Sequence, residues 1–310
     1  MADKKHTVFK HVPCDICGKD AFERLGRPKM SMKFAPALNL KDVFIVRCKH
    51  CGFYYTQPMP FWSPEDLQNI YNSEYFPEMS EWWKKVKTKV NPQHRLDIVE
   101  QYVPFKISRF LEVGCGLGYG LEEAMRRGWD VYGQDVSPFF VAEVKEKLGI
   151  DVFPGPLEEA SYPERFFDVV YVDSVLEHVP QPMKMLKEIS RILNPQGVAY
   201  ITVTNEDALI NKFRSFIFKA LLRKRSPILS PFSYPFHLIG FTEATFRKAC
   251  EILGFEVKRL VICAGVNEWR KYRIKEVGIS LIPNIVYYPI YVLGEKRGRG
   301  IAIEAVVGPT

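Results

Sequence analysis

Between Arg109 and Thr204 the chain alternates short runs that are apolar at nearly every position with longer segments whose apolar residues recur every three or four positions. RFLEV, DVYGQD, IDVF, RFFDVVYVD and GVAYITVT read as strands, and GLEEAMRRG, FVAEVKEKLG and QPMKMLKEISRIL read as helices. Strands without a polar face are covered on both sides, and the intervening helices supply the cover. The pattern therefore predicts a doubly wound, parallel α/β sheet. Further on, FTEATFRKACEILGFEVKRLVI predicts a threonine-capped helix followed by a strand, and GIAIEAVV a last strand. Upstream, SPEDLQNIY has a serine cap and a proline at the first helical position. A helix from about Asn91 repeats its apolar residues at Leu96, Ile98, Val99 and Val103.

Composition adds few constraints. At 310 residues, 47% hydrophobic and 25% charged, the chain is long enough for one large domain with a smaller companion, and nothing in it predicts disorder. No apolar core follows the first charged residues. The longest greasy stretch, Ile279 to Leu293, is short for a membrane span and contains Pro283, Asn284 and Pro289. The expected location is cytoplasmic, so the seven cysteines are not read as disulfides. Residues 1–105 carry 16 Lys/Arg against 12 Asp/Glu, residues 106–207 carry 10 against 17, and residues 208–310 carry 17 against 7. An acidic middle beside a basic end argues against a uniformly nucleic-acid-coated protein. It points to an anionic partner for the last third, or to a solvated basic face. In that third, ALINKFRSFIFKALLRKRSP repeats Leu209, Ile210, Phe213, Phe216, Ile217, Ala220 and Leu221 on one face, with Lys212, Arg214, Lys219 and Arg223 off it. Such a helix serves as a lid over a pocket or as a peripheral membrane-surface contact.

Two C-x-x-C knuckles, Cys14/Cys17 and Cys48/Cys51, suit a tetrahedral structural zinc site, with a metal-free relic or a redox pair as the alternative. Four sulfur ligands leave no open position, so the zinc would hold a module together rather than catalyse. His50, inside the second knuckle, is expected to face solvent.

The stretch FLEVGCGLGYG ends a predicted strand with Gly114, Gly116, Gly118 and Gly120. A dinucleotide fingerprint needs G-x-G-x-x-G, but Tyr119 and Leu121 occupy the third position in the two possible registers. Glu112, two residues before the first glycine, would repel a pyrophosphate and suit a ligand carrying an ammonium and a sulfonium. Asp135, ending the next strand, is placed to accept hydrogen bonds from a ribose diol. An acid, a glycine loop and a second acid describe a seat for an amino acid joined to a nucleoside, namely S-adenosylmethionine.

LEVGCGLGYG, VYGQDVSP, FPGPLEE, FDVVYVDSVLEHVPQP, LNPQGVAYITVTN and HLIGFTEATFRKACEILGFEV together resemble class I S-adenosylmethionine-dependent methyltransferases of the broad small-molecule group. The cysteine knuckles with CGFYYTQPMP and IYNSEYF resemble the zinc-ribbon front end carried by many members. The resemblance implies a doubly wound, mostly parallel seven-stranded sheet, the Rossmann-like methyltransferase fold, with a small N-terminal zinc ribbon. It implies a ribbon at 1–60, a helical linker and cofactor cap at 61–105, and a methyltransferase domain at 106–310 with insertions at about 205–240 and 265–297. It places Gly114, Cys115, Gly116 and Gly118 under the methionine part of the donor and Glu112 near its ammonium. Asp135 falls at the ribose, Val136 beside the adenine, Leu157 and Glu158 at the adenine edge, and Asp173 and Ser174 beneath the sulfonium. Tyr75, with Tyr71, would close over the cofactor or simply pack. His178 and His237 are the candidate catalytic residues, as acceptor-lining groups or a base, with a structural histidine as the alternative. Related enzymes often have proline where this chain has Thr204. The expected activity is methyl transfer to a small-molecule acceptor such as a sugar, a lipid-linked glycan or another anionic metabolite. An RNA methyltransferase using the ribbon and basic patches, and a non-catalytic ribbon scaffold, are the alternatives.

Overall fold

The computed structural model describes residues 7–28, 42–72, 91–220, 228–229, 231, 236–263, 290, 293–294 and 296–310. In chain order the strands are β1 (Val8–Lys10), β2 (Phe22–Gly26), β3 (Phe44–Cys48), β4 (Tyr54–Gln57), β5 (Met59–Phe61), β6 (Arg109–Val113), β7 (Asp130–Asp135), β8 (Val152–Pro154), β9 (Phe167–Asp173), β10 (Leu193–Thr204), β11 (Ile239–Gly240), β12 (Phe255–Cys263) and β13 (Ala302–Pro309). Among the described residues, seven of them form the main sheet in the order β8-β7-β6-β9-β10-β13-β12. The five from β8 to β10 run parallel, and β13 is antiparallel to both β10 and β12.

Two cores flank this sheet, which explains why its central strands β9 and β10 are buried on both faces. Along β9, Val170 and Val172 join one core and Val169 and Tyr171 the other, all essentially inaccessible to solvent. β10 repeats the division with Ala199, Ile201 and Val203 against Val198 and Tyr200. Each buried aliphatic side chain contributes roughly 1.5–3 kcal/mol, so polar substitution on either face is costly.

Helix ends follow the capping chemistry. Ser63 and Ser137 accept hydrogen bonds from the first turns of Pro64–Ile70 and Pro138–Leu148, and both helices begin on the proline. Thr242 opens Glu243–Ile252 with a reciprocal capping box to Thr245. The expected helix at Asn91 is present as Asn91–Glu100. The basic helix is described over Leu209–Ala220. Phe216, which its spacing puts on the apolar face, is 70% exposed, so the packed face is narrower than the periodicity suggests. Tyr75, the basic run from Lys84 to Lys89 and residues 264–289 lie outside the described residues.

The N-terminal segment folds onto the main sheet instead of standing apart. Cys14, Ile16, Phe53, Tyr55 and Met59 belong to the same core as Leu111, Val113, Val170 and Phe241. β2, β3 and β4 are antiparallel, and their sheet is completed by β11, from a segment that the sequence suggests is part of an insertion over the pocket. The Asp15 carboxylate accepts the N–H of Met183 at 2.8 Å, in the first turn of the helix Pro182–Ile192. The ribbon thus caps a catalytic-domain helix 168 positions away in sequence. No helix among the described residues is long and apolar enough to cross a membrane.

Asp15→Ala removes this cap. The expected loss is about 1 kcal/mol of unfolding free energy, measured by urea denaturation, with Asp15→Asn recovering part of it.

Candidate active site at the carboxyl ends of the strands

The turn after β6 is built from residues that tolerate left-handed backbone. Gly114, Gly116 and Gly118 have φ of +61°, +52° and +72°. The N–H groups of Gly114, Cys115 and Gly116 are fastened by two neighbours at the end of β7, and Gly118 N–H donates to the Cys115 carbonyl at 2.8 Å. Gln134 Oε1 accepts Gly114 N–H at 3.1 Å, and its backbone carbonyl accepts Cys115 N–H at 3.0 Å. Asp135 accepts Gly116 N–H at 2.8 Å on one carboxylate oxygen and Ser137 N–H at 2.8 Å on the other. Gln134 also donates to the carbonyl of Gly155, and Gly155 N–H donates to the Asp135 carbonyl at 3.0 Å, tying in the loop after β8. The Asp135 carboxyl is 6% exposed; burial pushes it up to about 6, against the N–H donors of Gly116, Ser137 and Val136.

Glu112 lies one strand over, beneath the first turn of the helix Tyr119–Arg126, where it accepts Leu121 N–H at 2.8 Å. A Cβ on Gly120 would stand 2.6 Å from Glu112 Oε1, so this glycine is required to make room for the carboxyl. Burial first, and then the nearby Asp173 and Asp135, push Glu112 up to about 8; the N–H groups of Leu121 and Gly120 pull the other way. Cys115 contributes backbone to the loop, but its buried sulfur faces β7 and stands 3.5 Å from where a Cβ on Gly133 would lie. Burial raises its thiol far above the usual range, which removes it as a nucleophile. Val136 is half-buried beside Asp135, Leu157 is fully buried, and Glu158 is half-buried after β8.

At the end of β9, Asp173 is held by Arg95 from the helix Asn91–Glu100 and by Thr202 Oγ1 at 2.6 Å. Arg95 also donates to Tyr171 Oη at 3.0 Å. Ser174 follows with a left-handed φ of +58°, its N–H shared between the carbonyl and hydroxyl oxygens of Thr202. A non-glycine residue held in this region is a feature of functional strand ends.

The second half of the site faces this loop across Tyr71. The Tyr71 carbonyl accepts the Ser137 hydroxyl, and its ring lies edge-on to His178 at 6.1 Å between centroids. Burial first, and then Asp135 and Glu177, push the Tyr71 phenol upward. The His178 and His237 rings are 5.1 Å apart and nearly perpendicular. One side-chain donor atom from each of Glu177, His178 and His237 lies within 4.8 Å of the others. Burial pushes His237 down to about 4, so it is neutral at physiological pH. A carboxyl and two imidazoles this close can receive and hold a proton, or hold a divalent cation. Glu206, 4% exposed, is pushed up to about 8 by burial and by Glu177. It borders a cavity of about 300 Å³ whose other walls include Tyr54, Asn211, Lys212 and Phe216.

The four knuckle cysteines converge at the far end of the ribbon, with Sγ atoms 3.4 Å apart in Cys14–Cys51 and 3.5 Å apart in Cys17–Cys48. Cys48 is pulled down to about 7: burial opposes this, but the N–H groups of Cys51 and His50 favour its thiolate. His50 is exposed and contributes only its backbone N–H, at 3.4 Å from Cys48 Sγ.

The sequence-selected residues thus fall into three groups: the loop with its acids and the two histidines, joined by Tyr71, and the four cysteines apart from both. Gln134, Arg95 and Glu177 are the additions. Gln134 and Glu177 each adjoin a selected residue, whereas Arg95 carries no local signal because its partner lies 78 positions away.

Residues 111–201 match the methyltransferase-domain family. The chain is 26% identical over 207 residues to the ubiquinone biosynthesis O-methyltransferase of Coxiella burnetii strain Dugway 5J108-111, covering 60% of this chain and 86% of that protein. It is 29% identical over 208 residues to the enzyme of the same name from Histophilus somni strain 2336, covering 60% and 87%. Among solved structures, the geranyl diphosphate C-methyltransferase of Streptomyces coelicolor A3(2), in complex with Mg2+, geranyl diphosphate and S-adenosyl-L-homocysteine, has a TM-score of 0.54. It is 14% identical, covering 80% of this chain and 98% of that one. A SAM-dependent methyltransferase from Archaeoglobus fulgidus has a TM-score of 0.50 at 16% identity, covering 76% and 99%. At these identities the structural likeness establishes the fold.

The raised Glu112 has a consequence for stability. Its folded value of about 8 lies above the 4.5 of a free carboxyl, so its contribution is full below pH 4.5 and is lost as pH rises through 8. Urea midpoints of the ligand-free protein should therefore fall between pH 5 and pH 8, Glu112 accounting for on the order of a few kcal/mol. Glu112→Gln should flatten that part of the slope and leave the shares of Asp135 and Glu206.

Proposed function

The chain is a class I S-adenosylmethionine-dependent methyltransferase, and from that premise we propose that it methylates a hydroxyl group of a small, anionic acceptor held between Tyr71, His178 and His237. The observation that carries the reading is the concentration of acid around a bare-backbone loop. Asp173 and Asp135 add to burial in driving Glu112 to about 8, and a cation seated there would relieve Glu112 and Asp135, Asp173 being already paired with Arg95. In this reading Gly114, Cys115 and Gly116 lend backbone to the methionine part, Gly118 starts the helix, and Glu112 faces the ammonium. Asp135 would take the ribose hydroxyls, Val136, Leu157 and Glu158 the adenine, and Asp173 and Ser174 the floor beneath the sulfonium. When bound, the donor supplies a methyl group already activated on sulfur.

The protein's task is then alignment and proton removal. Holding acceptor oxygen and methyl carbon in line is worth up to roughly 7–11 kcal/mol in favourable cases. His237 is kept neutral by burial, and together with His178 it can take the proton that a hydroxyl loses on methylation. Glu177 beside the pair would stabilise the imidazolium formed. The O-methyltransferase relatives support a hydroxyl as the accepting group. The basic last third supports an acceptor that carries negative charge. Lys212 and Arg214, both exposed on their helix, also suit a peripheral membrane surface.

Cys14, Cys17, Cys48 and Cys51 fit a structural zinc ion. Tetrahedral Zn–S bonds of about 2.3 Å place the sulfurs roughly 3.8 Å apart. The two Sγ pairs, at 3.4 and 3.5 Å, are close to that without rearrangement. The ribbon at 1–60, the linker at 61–105 and the catalytic domain at 106–310 are the units this reading assigns.

Calorimetry should show saturable S-adenosylhomocysteine binding that Asp135→Ala weakens at least ten-fold. Release of S-adenosylhomocysteine should follow hydroxylated anionic small molecules and not structured RNA; RNA-dependent release, or no binding of either nucleoside, overturns the proposal. With a turned-over acceptor, His237→Asn should lower kcat about 100-fold with cofactor affinity unchanged.

Elemental analysis of protein purified without added metal should find one zinc per chain. Cys51→Ser should lose it and lower the melting temperature.

A further inference from the structure

The ribbon reaches the acceptor side at Thr56. Thr56 of β4 is fully buried, and both its backbone N–H, at 3.0 Å, and its hydroxyl, at 2.9 Å, donate to the carbonyl of Leu238. The Leu238 N–H in turn donates to the carbonyl of Glu177 at 2.7 Å. Leu238 follows His237 in the chain, and Glu177 precedes His178, so one residue, Leu238, is held by its carbonyl to the ribbon and by its N–H to the segment that carries the other histidine. The neighbouring contacts reinforce this alignment. Ile239 and Gly240 pair with Tyr55 and Tyr54, the Phe241 ring packs on Phe53 at 5.1 Å, and Glu206 N–H donates to the Phe241 carbonyl at 2.8 Å. β4 itself begins three residues after Cys51.

The geometry points to Thr56 as a positioning residue for the methyl-transfer site: its hydroxyl fixes Leu238, and through Leu238 the placement of the His237 imidazole against His178. The inference rests on the reading that these two histidines line the acceptor pocket, and it makes the cysteine-bearing ribbon a wall of that pocket as well as a folding unit. A plain β4–β11 pairing would need only the Thr56 backbone N–H. The second bond, from a buried hydroxyl whose loss leaves one lone pair of a buried carbonyl unmet, has a role in holding Leu238 that pairing alone does not require.

The test compares the full-length wild type with Thr56→Val, which keeps the side-chain shape, and Thr56→Ser, which keeps the hydroxyl. Three quantities are read: amide exchange at Leu238, the imidazole nitrogen resonances of His178 and His237, and S-adenosylhomocysteine affinity by calorimetry. In Thr56→Val, Leu238 exchange should accelerate roughly five-fold or more and both imidazole signals should shift, with cofactor affinity within two-fold of wild type. Thr56→Ser should restore the exchange rate and the signals. Unchanged imidazole signals in folded Thr56→Val, or failure of serine to restore them, overturns the proposal. Should Thr56→Val not fold, a Leu238 amide in the wild type exchanging as fast as exposed loop amides overturns it equally. Absence of cofactor binding in the wild type would instead sink the methyltransferase reading and leave the clamp to be judged by exchange and resonance data.

Discussion

Two consecutive side chains at the end of β7 hold the loops of three strands. Gln134 and Asp135 accept N–H groups from the glycine turn after β6, and Gln134 and the Asp135 backbone fasten Gly155 after β8. A turn with almost no side chains cannot organise itself by packing, and each of its residues is free to adopt many backbone conformations. The adjacent strand must therefore supply the order. Parallel pairing of β6 with β7 brings the donors and acceptors into register, and burying Gln134 and Asp135 makes each unmet bond expensive. The position of the Glu112 carboxyl beneath the following helix depends on the same turn, because Gly120 must arrive without a Cβ.

The central fold was legible because its strands advertise burial at every position, as in FDVVYVD, and because the glycine spacing and the two acids are local in sequence. The cysteine knuckles and the serine and proline caps were readable for the same reason. Arg95, whose charge is neutralised by Asp173, was not: its helix looks like an ordinary amphipathic segment, and its partner is distant. Nor was the way Glu112 serves the helix start, since a strand-terminal acid and a helix glycine eight positions later carry no signal that they touch. Phe216 illustrates the opposite error, an apolar residue in helical register that the fold leaves in solvent.

The relation between the ribbon and the catalytic sheet was the least readable feature. Spacing identified four cysteines and suggested a small module, but Cys14, Tyr55 and Phe241 share one core, and Asp15 caps the start of a helix of the other unit. A two-residue strand such as β11 is too short to register as a periodic pattern. Its pairing is dictated by Thr56 and the Phe53 ring, both far away in sequence. Sequence reasoning works where physical neighbours are also chain neighbours, and this interface is made of neighbours that are not.

The completion of the ribbon sheet by β11 has a consequence for synthesis. β4 emerges from the ribosome early, whereas the strand that covers its edge is more than 180 residues behind it. At roughly 5–20 residues per second, β4 waits on the order of 10–40 s with an unpaired backbone edge flanked by Phe53, Tyr54 and Tyr55. The nascent chain must shelter that edge until Ile239 arrives, so closing of the ribbon sheet waits for this short strand.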